Sequence, residues 1–332
     1  RDLHSFPTRR SSDLVLSKVI KIKMDNTTWL FLAIVAALAS ALTTFSDNYI
    51  TDVLFKGRRP QAQKVFFGVA YILTAIMIVL LFPIHKVSIL VMLGLIGAGA
   101  ISGFASIPYY LALGKDDSTN VTILQQLSPI FYLILGRILL GEEIAGEQLV
   151  AFMVVLVAPL IVVLSTKGKR REAKIRNVGL IIINTLVSAL AGTLIVKFGG
   201  DCDFATMLFF IAIGKGLTDV GLTIALKSWR KRFRDVMRRR HSMKFWVTFI
   251  SNHCLWLISD FTYYIALSLA PAVAMASAVT KTLHPIMVFS FGVVLSVLWP
   301  NFGREKVKRK AILTHLTATA VAVVGIILMQ IL

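Results

Sequence analysis

Residues 109–144 read YYLALGKDDSTNVTILQQLSPIFYLILGRILLGEEI. Tyr109 to Leu113 ends one apolar run, and a polar turn follows. A second apolar run carries Pro129 and closes on the pair Gly141-Glu142. Runs of about 20 residues are long enough to cross a hydrocarbon core about 30 Å thick. They recur along the whole chain, whose 332 residues are 56% hydrophobic and only 16% charged. The mean hydropathy is +0.76. Soluble domains carry more charge and intersperse it with apolar residues. A transmembrane barrel would need short strands of alternating polarity, and none occurs in the sequence. The reading is an all-α polytopic membrane protein.

Ten apolar segments are expected, at roughly 28–54, 65–84, 87–113, 120–140, 148–165, 178–196, 205–226, 245–268, 271–299 and 311–332. Working outward from the opening stretch, the chain repeats itself. Tyr109-Tyr110-Leu111-Ala112-Leu113 returns 154 positions later as Tyr263-Tyr264-Ile265-Ala266-Leu267. Leu127-Ser128-Pro129 returns 156 positions later as Leu283-His284-Pro285, and Ser40-Ala41-Leu42 matches Ser188-Ala189-Leu190. The order and near-constant offset imply a duplication of five segments. Five is odd, so the second copy enters the membrane from the opposite face. The expected fold is ten transmembrane helices as two inverted five-helix repeats, with a site near the midplane between them.

Residues 109–144 resemble the EamA-like module of the drug/metabolite transporter superfamily. The likeness lies in the aromatic-x-Ala-Leu helix end, the polar turn, the helix with Pro129 and the Gly141-Glu142 turn. It extends over nearly all of 24–332, and in the second copy the last turn departs from the pattern, with PNFGREKVKRK in place of Gly-Glu. The resemblance implies a ten-helix carrier whose third and fourth helices in each half line a central cavity. It implies a multi-pass protein of a bacterial plasma (inner) membrane. The organisation expected is a first repeat over 24–165, a basic linker over 166–177 and a second repeat over 178–332. Residues 1–14, RDLHSFPTRRSSDL, resemble a translated sequencing adapter. Residues 1–23 are therefore expected to be a non-native or disordered extension.

The formal charge is +19, clustered in short stretches between apolar runs. Such clusters read as topogenic charge and not as a nucleic-acid surface. The stretches after segments one, three, five, seven and nine hold 25 Lys and Arg; the others hold only Lys86 and Lys197. The charge rule puts those five stretches in the cytoplasm and both termini outside. The resembled family usually has both termini inside.

Charge within a bilayer is expensive, so each such group needs a partner or a task. Lys281 lies about 15 Å along segment nine and Asp260 about 12 Å from the end of segment eight, at 1.5 Å per residue. Only Leu269-Ala270-Pro271 joins the two segments. The expectation is a Lys281–Asp260 pair at matching depth, either locking the helices or touching solute. Lys215 and Asp219, four apart, are expected to pair on one face of segment seven. Gln125 is the repeat counterpart of Lys281, and both precede a proline by one turn. Gln125, Gln126, Tyr110, Tyr264, His284 and Asn252 complete the expected solute-binding set. Tyr109 and Tyr263 share the helix-end positions, where interfacial anchoring is the competing reading. Arg137, near Glu142 and Glu143, is expected to snorkel.

The sequence has no HExxH, Walker A, GxSxG or DDxxD motif, so no enzyme, metal site, cofactor or resident ATPase is expected. The two cysteines, Cys202 and Cys254, form no CxxC. The expected function is a secondary carrier of small polar metabolites, amino acids or related solutes among them, by alternating access. Proton coupling, contact with membrane lipids and a homodimer are compatible with it. The competing readings are a channel or membrane receptor and, less favoured, an intramembrane lipid-modifying enzyme built on Asp47 and Asp52.

Overall fold

The computed structural model describes residues 27–50, 60–113, 125–144, 146–165, 171–200, 202–238 and 243–298, with 313, 317, 320–321 and 323–328. The expected extension over 1–23, Asp52 and most of the tenth apolar segment lie outside the described residues. Among the described residues the structure is helical, without strands.

The helices are α1 (Thr28–Tyr49), α2 (Pro60–Leu81), α3 (Ile89–Leu113), α4 (Ser128–Leu135), α5 (Gly146–Ser165) and α6 (Arg171–Gly199), then α7 (Phe204–Ala225), α8 (Lys227–Met237), α9 (Met243–Leu269) and α10 (Val273–Leu298). Segments Thr28–Asp47, Ile89–Ala112, Val178–Gly199 and Phe204–Ala225 are long and apolar enough to cross a membrane. Outward faces are apolar as well; on α2, Leu73, Met77 and Leu80 are exposed. That suits a lipid surround, where burial of apolar groups from water is not the force that sorts inside from outside.

Three elements differ from the sequence reading. The helix α2 begins five residues early, at Pro60, a residue suited to a first helical turn because its missing N–H would be unpaired there. This brings Lys64, counted above with the basic stretch, inside the helix. The α6 helix begins at Arg171, so most of the expected linker is helical. Finally, part of the basic stretch 227–244 folds as α8, with Trp229 buried and Phe233 against Phe66 at 5.9 Å between ring centroids.

The fourth segment is broken into three pieces. A 3-10 turn, Gln125–Leu127, leads into α4, and a π turn, Gly136–Leu140, follows it. Pro129 explains the first break: it has no N–H for the carbonyl four residues back, and its ring crowds that position. Gly141 ends the segment at φ +71, a left-handed conformation that glycine adopts without cost. The chain then turns so that Glu142 accepts the Val273 backbone N–H at 3.1 and 3.2 Å, at the start of α10. A carboxylate there complements the positive end of the helix. A Cβ at Gly136 would come within 2.5 Å of Glu142 Oε2 and 3.0 Å of Val273 Cγ2, so a larger residue there would displace the carboxylate. Burial pushes the Glu142 carboxyl above the usual carboxylate range, and the Val273 amide partly opposes it.

In packing, α1 lies against α9 and α10, while α6 lies against α3 and α4; α7 lies against α2 and α3. The α3–α7 contact brings backbone to backbone. A Cβ on Gly214 would sit 2.1 Å from the Ile96 carbonyl oxygen, and one on Gly99 would sit 2.4 Å from that of Ile211. Small residues at such crossings are how membrane helices gain close packing.

Asp203 caps α7 by accepting the Thr206 N–H at 2.9 Å, and it pairs with His85 Nδ1 at 2.9 Å. Burial alone would raise its pKa, but the bonds from Thr206 and His85 outweigh it and hold the carboxyl below its ordinary 3.8. A carboxylate with a depressed folded pKa stabilises the fold above its unfolded value and loses that contribution as the pH falls through the folded one. Asp203→Ala should therefore lower stability by about 1 kcal/mol at neutral pH, and the gap from wild type should close in strong acid. Thermal unfolding of the detergent-solubilised proteins across pH measures both.

Candidate functional site

A cavity of about 140 Å³ lies among α2, α3, α4, α6, α7, α9 and α10. Its lining is aromatic and polar, and it includes Lys64, Lys215, Lys281, Asp219 and Asp260. Each charge arrives on a helix that is otherwise apolar, so the geometry is set by how those helices pack.

The centre is α7. From it Lys215 forms an ion pair with Asp260 of α9. Asp260 also accepts the Tyr71 hydroxyl of α2 at 2.8 Å. The Lys215 ammonium lies over the rings of Tyr71 and Tyr264, 5.0 and 5.2 Å from their centroids, a cation–π arrangement that adds to the ion pair. The Tyr264 hydroxyl meets Ser102 Oγ at 3.2 Å. One turn along α7, Asp219 pairs with Lys64 of α2 at 2.7 Å, and Lys64 also donates to the Gly103 carbonyl.

Both expected pairs are thus exchanged. Lys215 and Asp219 do not neutralise each other along their helix. Each reaches a different helix, because both are buried and cross-helix partners supply direct bonds that an i,i+4 neighbour leaves incomplete. Lys281 does not form a salt bridge with Asp260, which Lys215 occupies. Matching depth was not enough: α9 packs chiefly on α1, and α10 turns toward α1 and α4. The Lys281 ammonium instead lies over the Tyr263 ring, 5.3 Å from its centroid.

Of the other expected residues, Gln125, Tyr110 and Tyr264 line the cavity, as do Tyr109 and Tyr263. These tyrosines face inward and do not act as interfacial anchors. Gln125 donates to Asn184 at 3.2 Å, and Asn184 donates to the Ala105 carbonyl at 2.7 Å. Gln126, Asn252 and His284 do not line the cavity. Gln126 is buried; Asn252 donates to Asp47 at 2.8 Å; His284 meets Thr44 at 3.0 Å and Ser40 at 3.3 Å on α1. The reason for His284 is rotation about α10, since residues three apart on a helix sit about 60° away from each other. Arg137 is exposed, as a snorkelling side chain is.

Residues 27–164 match the EamA-like transporter family. The matched region holds the 109–144 stretch and runs from the start of α1 to the end of α5. A solved crystal structure aligns with a TM-score of 0.63 at 14% identity, over 93% of this chain and 98% of the other, a likeness of fold. No curated protein matches the sequence. With its apolar helices, the chain is an integral multi-pass membrane protein. The EamA-like region supplies Lys64, Tyr71, Tyr110 and Gln125 to the cavity, and the rest of the chain supplies Asn184, Lys215, Asp219, Asp260 and Lys281.

Sequence reasoning missed Lys64, Tyr71, Asn184 and Trp256. Lys64 had a signal: Pro60 begins a helix, which puts position 64 one turn inside it. Tyr71 and Trp256 carried none, since one aromatic in an apolar run looks like any other.

Removing one member of a buried pair strands the other charge. Lys215→Met should cost about 3–5 kcal/mol, and Lys215→Met with Asp260→Asn should recover much of it. Thermal unfolding in detergent tests this; a double variant no more stable than the single would mean that the two groups are not coupled.

Proposed function

We propose that this chain is a secondary transporter of small polar metabolites, working by alternating access around the internal cavity. The carrying observation is the cavity itself: ammonium and carboxylate groups on four helices, α2, α7, α9 and α10, held inside apolar helices and facing one shared space. A structural ion pair would need no space around it. A solute site does.

The arrangement of ten spans in two inverted halves is part of the same reading, and the packing supports it. Helix one of the first half, α1, packs on α9 and α10, the third and fourth helices of the second. Helix one of the second half, α6, packs on α3 and α4, the third and fourth of the first. Reciprocal contacts of this kind are what a pseudo-twofold axis in the membrane plane produces. Gln125 and Lys281, one on each half, then face the same cavity at related positions.

The chemistry follows from electrostatics. Lys215–Asp260 and Lys64–Asp219 bridge α7 to α9 and α2, so a change of partner would be coupled to relative helix movement. A solute or a proton that competes for one of these groups shifts the balance between conformations only by its differential affinity for them.

Proteoliposomes loaded with a metabolite mixture should show saturable uptake that is accelerated by the same solute inside, which separates a carrier from a channel. Lys281→Ala should remain folded, with a wild-type size-exclusion profile, and lose that counterflow. Wild-type counterflow in the variant would remove Lys281 from the site.

A further inference from the structure

The charges lining the cavity do not cancel. Asp219 is engaged by Lys64, and Asp260 by Lys215 and Tyr71. Among the described residues Lys281 forms no direct salt bridge; its ammonium lies over the Tyr263 ring and feels Asp260 only at longer range, across a carboxylate that Lys215 already occupies. Asp47, held by Asn252 and Trp256, does not line the cavity. Among the described lining residues three ammonium groups stand against two carboxylates, a formal excess of one positive charge in a space enclosed by apolar helices. A second group lining the cavity is also unused. Ser128 is buried to 1% exposure, lines the cavity, and its hydroxyl has no hydrogen-bond partner among the described residues. Lys281 stands on α10 and Ser128 on α4, helices that pack together. Buried hydroxyls and ammonium groups are seldom left without partners.

We propose that the cavity binds a small monoanionic carboxylate, its carboxylate held by the Lys281 ammonium and the Ser128 hydroxyl. A cationic solute would meet a carboxylate only by breaking an ion pair. A phosphate dianion would be half neutralised, and the described lining offers no arginine fork to hold its oxygens. The volume sets the body of the solute. A cavity of about 140 Å³ resembles the roughly 150 Å³ space that takes a benzene ring, so three to seven carbons fit. Phe67, Tyr71 and Trp256 supply apolar surface for that body.

This inference takes from the transport reading only that the cavity is the solute site. Its test is calorimetric titration of the purified full-length protein in detergent. The probes are propanoate, butanoate, hexanoate and benzoate, each with its primary amide, together with the corresponding α-amino acids and phenyl phosphate. At least one monocarboxylate should bind and its amide should not. Lys281→Gln should weaken that binding by about 10–100-fold, the effect of losing a hydrogen bond to a charged group. Lys281→Arg should retain part of it, and Ser128→Ala should weaken it less. Equal binding of acid and amide, tighter binding of the zwitterions or the phosphate, or undiminished binding by folded Lys281→Gln would each overturn the proposal. So would an absence of binding by every monocarboxylate. If another solute still shows counterflow in that case, the transport reading stands without this one. Carboxylate binding without counterflow of any solute would leave this inference and remove transport.

Discussion

Charge inside an apolar surround has to be compensated, and the core of this protein is arranged around that requirement. Helix α7 carries both signs one turn apart, yet it does not spend them on each other. It sends Lys215 to α9 and Asp219 to α2, so two pairs tie three helices together. Buried pairs are poor sources of stability, because removing two ions from water costs about as much as their attraction returns. What they give is specificity: few other registers of α2, α7 and α9 would satisfy all four groups. The glycine contacts serve the same end. Gly99 and Gly214 let α3 and α7 touch backbone to backbone, which sets α7 deep enough for its charges to reach both neighbours.

The cavity follows from this packing. Tyrosines from α2, α3, α4 and α9 fill the space beside the pairs, and several of their hydroxyls bond to neighbouring polar groups. Two proline sites add to it. Pro129 and Pro285 have no N–H to give to the carbonyls of Gln125 and Lys281, each one turn earlier. Gln125 and Lys281 both line the cavity, the first within the 3-10 turn whose i→i+3 bonding replaces the missing α-helical bond.

Much of this was legible in the sequence. Length and apolar runs indicated helices in lipid, and the motif over 109–144 indicated the family that residues 27–164 match. Four of the five charges in the described lining were also singled out in the sequence: Lys215, Asp219, Asp260 and Lys281 all line the cavity. Their pairing was not. Depth along a helix can be counted from sequence, but rotation about the axis and choice of neighbour depend on packing. That is why Asp260 went to Lys215 and not to Lys281, and why His284, three residues from Lys281, faces α1. Lys64 was obscured by a different effect. A basic residue beside Arg58 and Arg59 looks topogenic until the helix start at Pro60 is fixed. Asn252 illustrates the converse, a polar residue in a span that serves a local bond to Asp47.

The Gly141-Glu142 turn has a mechanical meaning. It ties the end of the fourth segment to the first residue of α10 by a carboxylate clasp, and Gly136 clears the space for it. A clasp at one extremity of two elongated bodies acts as a fulcrum. Were α4 to tilt against α10, the clasped ends would move least, and the gap would widen with distance from Glu142 along the helix axes.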